Sequence, residues 1–139
     1  MRKTLIALSA CLLAAAGCDF VTDPEPLEEF GYQQAEAGSE VTPGIDVAAF
    51  TGEILLVGQL VAPNACYELT PSFTQSGKNL NLTVTARTRQ SGCAAAPTGY
   101  IWSAAVRHLR ADTYELRVTH AFRDNEVAPV VFTRTVTVR

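Results

Sequence analysis

The stretch that most constrains the fold is "LNLTVTART", residues 80–88, where apolar and polar side chains alternate without a break. Successive side chains of a strand point to opposite faces. Leu80, Leu82, Val84 and Ala86 therefore line one face, and Asn81, Thr83, Thr85 and Arg87 the other. On a helix the same four apolar residues would scatter around the axis. The stretch predicts a strand with one buried and one wet face, which belongs to a sheet packed on one side only.

The pattern recurs from about residue 45 to the end. Short apolar or alternating runs, "EILLVGQLV" (53–61), "CYELTPSF" (66–73), "GYIWSAAVRHL" (99–109), "TYELRVTHAF" (113–122) and "VVFTRTVTV" (130–138), are separated by clusters of Gly, Pro, Asn and Asp. "IDVAAF" (45–50) is a weaker seventh strand. Short strands at this spacing predict an all-β sandwich or barrel of six to seven strands. With 139 residues the chain has room for one such domain.

The N-terminus follows other rules. A basic pair, Arg2 and Lys3, precedes an uncharged stretch from Thr4 to Gly17. That stretch is too short to span a bilayer and has the layout of an export signal. Residues 19–44 are rich in acids, Pro, Gly and Gln and poor in aliphatic residues. Such a segment buries too little apolar area to offset the entropy of ordering, so it is expected to be a flexible acidic tether. The expected organisation is a signal at 1–17, a cysteine and tether at 18–44, and a β-sandwich at 45–139.

Four cysteines occur, at 11, 18, 66 and 93. Cys11 leaves with the signal. Cys66 and Cys93 lie in the folded part of an exported chain, where disulfides persist. A bridge between them is worth about 3 to 4 kcal/mol in the chain-entropy account. Neither cysteine has a Cys-x-x-Cys neighbour or a histidine close in sequence, which argues against zinc. Cys18 is then left without a partner.

Around that odd cysteine, "LLAAAGCDF" (12–20) resembles the lipobox of bacterial lipoproteins, in which small residues precede an invariant cysteine. Ala15 stands where leucine is commonest. The resemblance implies a diacylglyceryl group on the Cys18 thiol, cleavage between Gly17 and Cys18, and acylation of the new amine. Cleavage after Ala16 by ordinary signal peptidase is the competing reading. The unpaired cysteine and the tether behind it favour the lipobox, because two or more acyl chains give lasting attachment. Asp19 resembles an inner-membrane retention signal, although the code differs among bacteria and leaves inner or outer membrane open.

A second resemblance lies in "LRADTYELRV" (109–118), which is similar to a phrase of bacterial immunoglobulin-like and fibronectin-type-III-like sandwiches, with Asp112 in a place usually held by glycine. It implies that Tyr114 sits at a corner between sheets, its hydroxyl bonded back to the chain that has just crossed. Tyr114, Leu116, Val118, His120 and Phe122 are expected to face the core. Leu116 stands where antibody domains carry a core cysteine, so the Cys66–Cys93 bridge is expected elsewhere, pinning the early strands or the "SGCAAAPTG" loop.

Chemistry is sparse. The two histidines, His108 and His120, fall roughly 20 Å apart whether the strands carrying them form a hairpin or cross between sheets. No nucleophile elbow, zinc-protease motif, phosphate loop or dinucleotide fingerprint appears. Residues 19–77 hold ten acids and no base, whereas 78–139 hold nine bases and four acids. The acidic half repels nucleic acid and anionic lipid headgroups, so neither is expected as its partner. The sequence therefore predicts no catalytic residue, metal or cofactor. It predicts an envelope lipoprotein whose sandwich, in the periplasm or at the cell surface, is an accessory or binding module for protein or glycan. A secreted unlipidated adhesin-like domain and a small hydrolase are the rival readings.

Overall fold

Eight strands, and no helix among the described residues, make up the computed structural model, which describes residues 29–38, 40–123 and 128–139. They are β1 (Glu29–Gly38), β2 (Gly44–Phe50), β3 (Glu53–Ala62), β4 (Tyr67–Ser76), β5 (Asn79–Thr88), β6 (Thr98–Arg107), β7 (Asp112–Phe122) and β8 (Val130–Val138). They form two four-stranded sheets in the orders β1-β6-β3-β2 and β4-β5-β7-β8. Every pairing is antiparallel except β5 with β7. The chain is an all-β sandwich, and the alternation at 80–88 is realised as β5, with Leu80, Leu82, Val84 and Ala86 all buried.

The inward faces meet in one core. Ile54, Leu56, Leu60, Trp102 and Val106 come from the first sheet, and Leu80, Leu82, Val84, Leu116 and Val118 from the second. Each large apolar side chain buried this way contributes about 1.5 to 3 kcal/mol. Trp102 is fully buried, and the room for its ring is made by Gly58 on β3. A Cβ added at Gly58 would lie 2.0 Å from two carbons of the indole.

One expectation is corrected. The tether assigned to 18–44 contains β1, and β2 begins at Gly44, so the sandwich starts at Glu29 and has eight strands where six to seven were expected. The reason lies in two aromatic residues of a segment otherwise poor in apolar ones. Phe30 stacks on Phe73 at 5.1 Å between ring centroids and Tyr32 on Trp102 at 6.2 Å, while the β1 backbone pairs with β6. Residues 19–28, the rest of the expected tether, and residues 1–18, where the signal and lipobox are expected, lie outside the described residues.

Between β6 and β7 the chain crosses from one sheet to the other and does not form a hairpin. His108 makes the corner with a left-handed backbone, φ 60°. The Tyr114 hydroxyl donates to the Arg110 carbonyl at 3.0 Å. The same end of the sandwich is tied by Leu109 N–H to the Gly52 carbonyl (3.0 Å) and Gly52 N–H to the Arg139 carbonyl (3.1 Å). At the opposite end Cys66, at the start of β4, is disulfide-bonded to Cys93 in the loop before β6, with Cα atoms 5.8 Å apart. Arg89 N–H donates to the Cys66 carbonyl at 2.8 Å beside that bridge.

Candidate functional site

The two outer faces of the sandwich differ in chemistry, and register shows how. On the β4-β5-β7-β8 sheet the outward rows read Thr74–Asn81–Arg117–Thr133 and Ser72–Thr83–Thr119–Val131. Hydroxyl, amide and charge there face solvent, as expected for a sheet packed on one side only. On the β1-β6-β3-β2 sheet the outward rows read Gly31–Ala105–Leu55–Ala48, Gln33–Ser103–Val57–Asp46 and Ala35–Ile101–Gln59–Gly44. A charged row, Glu29–Arg107–Glu53–Phe50, closes that face at one end.

Phe50, Leu55, Val57 and Ile101, four of the six large apolar side chains left exposed among the described residues, lie on this second face. Small residues beside them open a depression of about 450 Å³ bordered by Gly31, Gln33, Leu55, Val57, Ala105 and Arg107. Arg107 is fixed at its rim by Glu53 (2.9 Å) and Glu29 (3.4 Å), and His108 Nε2 lies 3.5 Å from the other Glu29 oxygen. The arrangement is an apolar floor with a fixed guanidinium and a few hydrogen-bonding groups at its border. Such a floor can take an apolar group of a partner.

A smaller cleft of about 220 Å³ lies near the disulfide, between β1 and β4, bordered by Gln34, Glu36, Glu68, Arg89 and Tyr100. Tyr100 donates its hydroxyl to the Tyr67 carbonyl at 3.0 Å. Burial, and then the Glu36 carboxylate, raise its pKa, so it stays a donor.

The histidines do not meet. His108 is exposed at the corner, and His120 lies eight residues along β7 from Asp112, about 26 Å of strand. His120 is buried, with Phe132 (5.3 Å between ring centroids) and Trp102 (5.6 Å) edge-on to it. Trp102 Nε1–H donates to His120 Nε2 at 3.2 Å. An indole N–H can only donate, so Nε2 accepts and the neutral ring carries its proton on Nδ1. Nδ1 is buried with no hydrogen-bond partner among the described residues. Burial pulls the His120 pKa down to about 4. Among the described residues no group of three His, Cys, Asp or Glu could hold a metal.

Of the residues singled out from sequence, Cys66 and Cys93 are brought together, Tyr114 sits at the corner, and Cys18 lies outside the described residues. The outward patch is absent from those residues. Its signal was present in "EILLVGQLV", where Leu55 and Val57 occupy the positions that an alternating strand gives to polar residues.

These features define a disulfide-bonded β-sandwich protein with one polar and one apolar outer face. Comparison with known proteins finds no matching family model, no matching curated protein and no matching solved structure.

Proposed function

We propose that the chain is a bacterial envelope lipoprotein, lipid-anchored through Cys18, whose sandwich is a non-catalytic accessory or binding module for a protein or glycan of the envelope. The observation that carries the binding role is the exposed apolar face of β1-β6-β3-β2, set against the hydroxyl-rich face of the other sheet. The non-catalytic reading is supported by the separation of His108 from His120 and by the use of Cys66 and Cys93 in a bridge. The immunoglobulin-like reading is supported by the Tyr114 hydrogen bond at the crossing between sheets. The anchor reading rests on the lipobox resemblance and on Cys18 being the one cysteine of the processed chain outside the bridge.

The anchor is tested by growing cells on radiolabelled palmitate. Label is expected in the wild type and absent from Cys18→Ser, and label persisting in that variant would remove the anchor. The face is tested by site-specific photocross-linking in cells, with a benzophenone amino acid at Val57 or, as control, at Thr83 on the opposite face. A discrete adduct is expected from Val57 alone. Adducts from Thr83 only, or from neither position, would assign the partner surface elsewhere.

A further inference from the structure

On the lipoprotein reading just proposed, the position of β1 changes how the domain must sit at its membrane. A spacer of 26 residues would allow free clearance, but β1 takes up Glu29–Gly38 and leaves only residues 19–28 between Cys18 and the sandwich. Ten residues reach at most about 35 Å when fully extended and span roughly 16 to 19 Å as a coil. The end of the sandwich from which the link leaves therefore stays within about 35 Å of the bilayer, close enough to reach it.

Register identifies that end. Glu29 stands in the row Glu29–Arg107–Glu53–Phe50. The β2–β3 turn, the β6–β7 corner and Arg139 are joined to it by the Gly52 hydrogen bonds. The β4–β5 turn belongs to the same end, since Lys78 pairs with Asp112 at 2.8 Å. Arg107 is matched by Glu29 and Glu53, and Lys78 by Asp112. Arg110 and Arg139 remain exposed, with no ion-pair partner among the described residues, against one unmatched acid, Glu115, beside the β4–β5 turn. Phe50 is 52% exposed at the tip of the β2–β3 hairpin. The disulfide, the 89–97 loop and the link from β1 to β2 lie at the other end.

We infer that this end docks on the lipid surface, with the Phe50 ring entering the headgroup layer and the Arg110 and Arg139 guanidiniums meeting lipid phosphates. An aromatic ring flanked by arginines suits the interface, where the ring leaves water and the planar guanidinium takes phosphate oxygens in pairs. The acids of the link, Asp19, Asp23, Glu25 and Glu28, oppose attraction to an anionic surface. The contact therefore needs the ring as well as the cations. Docked this way, the sandwich stands on end, with its apolar outer face presented sideways and the disulfide end farthest from the membrane.

The test uses the full-length protein, purified from bacteria with its processed N-terminus and reconstituted into vesicles of phosphatidylcholine with 30% phosphatidylglycerol. Quenching by brominated lipid is compared for Phe50→Trp and for Ala95→Trp in the disulfide-end loop, each corrected for Trp102. Phe50→Trp should be quenched at least threefold more than Ala95→Trp. Adding Arg110→Glu and Arg139→Glu should cut that quenching by half or more. Equal quenching at the two ends, or stronger quenching at Ala95→Trp, in protein that floats with the vesicles would overturn the docking and leave the anchor standing. Protein that neither floats nor carries diacylglyceryl mass on its N-terminal peptide would overturn the anchor and the docking together.

Discussion

Gly58→Ala should destabilise the sandwich by about 3 kcal/mol, the upper end of what forcing an extra group into a well-packed core costs. The backbone of Gly58 needs no unusual dihedral angle; what it supplies is the absence of a side chain. Its Cβ would fall 2.0 Å from two indole carbons of Trp102 and 2.5 Å from the ring nitrogen. No contact between real atoms is that short, so either the ring or β3 must move. Trp102 has little freedom to yield. It is fully buried, stacks on Tyr32, stands edge-on to His120 and donates its N–H to that histidine. Displacing the ring breaks the hydrogen bond and uncovers the inner side of β1 as well. Close-packed interiors absorb an added methyl poorly even where the ring could slide. Urea unfolding of wild type and Gly58→Ala checks this, with a second variant, Gly31→Ala, as reference. At Gly31, on the outer face, an added Cβ meets only the Arg107 guanidinium, at 4.0 Å. Gly58→Ala within 1 kcal/mol of wild type would show that Trp102 does not hold the position described.

The contrast between those two glycines marks where reading from sequence succeeds and where it stops. Alternation in β5 and β7 places Leu80, Leu82, Leu116, Val118 and His120 on the core side because a strand's period is local. That Trp102 lies against Gly58 depends on the register of β6 with β3, pairing residues 44 positions apart, and no local pattern encodes it. The same holds for β1. Its residues, with two glycines, two glutamines and two glutamates, have weak strand preference, and the strand is fixed by pairing with β6 and by Phe30 and Tyr32 stacking on distant rings. The candidate face was half legible. Leu55 and Val57 break the alternation of β3 visibly, whereas the small residues beside them, Gly31 and Ala105, become a depression only once β1, β6 and β3 are aligned.

Lowering the pH from 7 to 4 should remove about 3 kcal/mol of stability through His120 alone. The pair it forms with Trp102 fixes the neutral ring, since Nε2 must accept the indole hydrogen. Protonation turns that acceptor into a second donor and places a charge between Trp102 and Phe132, two rings that offer it no counter-charge. Burial holds the folded-state pKa down at about 4, against 6.5 for an unperturbed histidine. The unfolded chain therefore binds the proton first. The contribution is complete above pH 6.5, declines as the pH falls through the interval down to 4, and is gone below it. Each unit of separation is worth about 1.4 kcal/mol, which sets the size of the loss. Asp112, held below the usual carboxylate range by the Lys78 ammonium and the Thr113 N–H, titrates under this window and does not obscure it. Urea midpoints at pH 7, 5.5 and 4.5 should fall steadily for wild type and stay nearly flat for His120→Phe, which keeps a ring in the site. His120→Phe also loses the acceptor for the indole N–H, at about 1 to 3 kcal/mol, so it should begin lower at pH 7. The two curves then converge as the pH falls. A wild-type midpoint that does not move between pH 7 and 4.5 would mean that His120 is not sealed in the core as the neutral partner of Trp102.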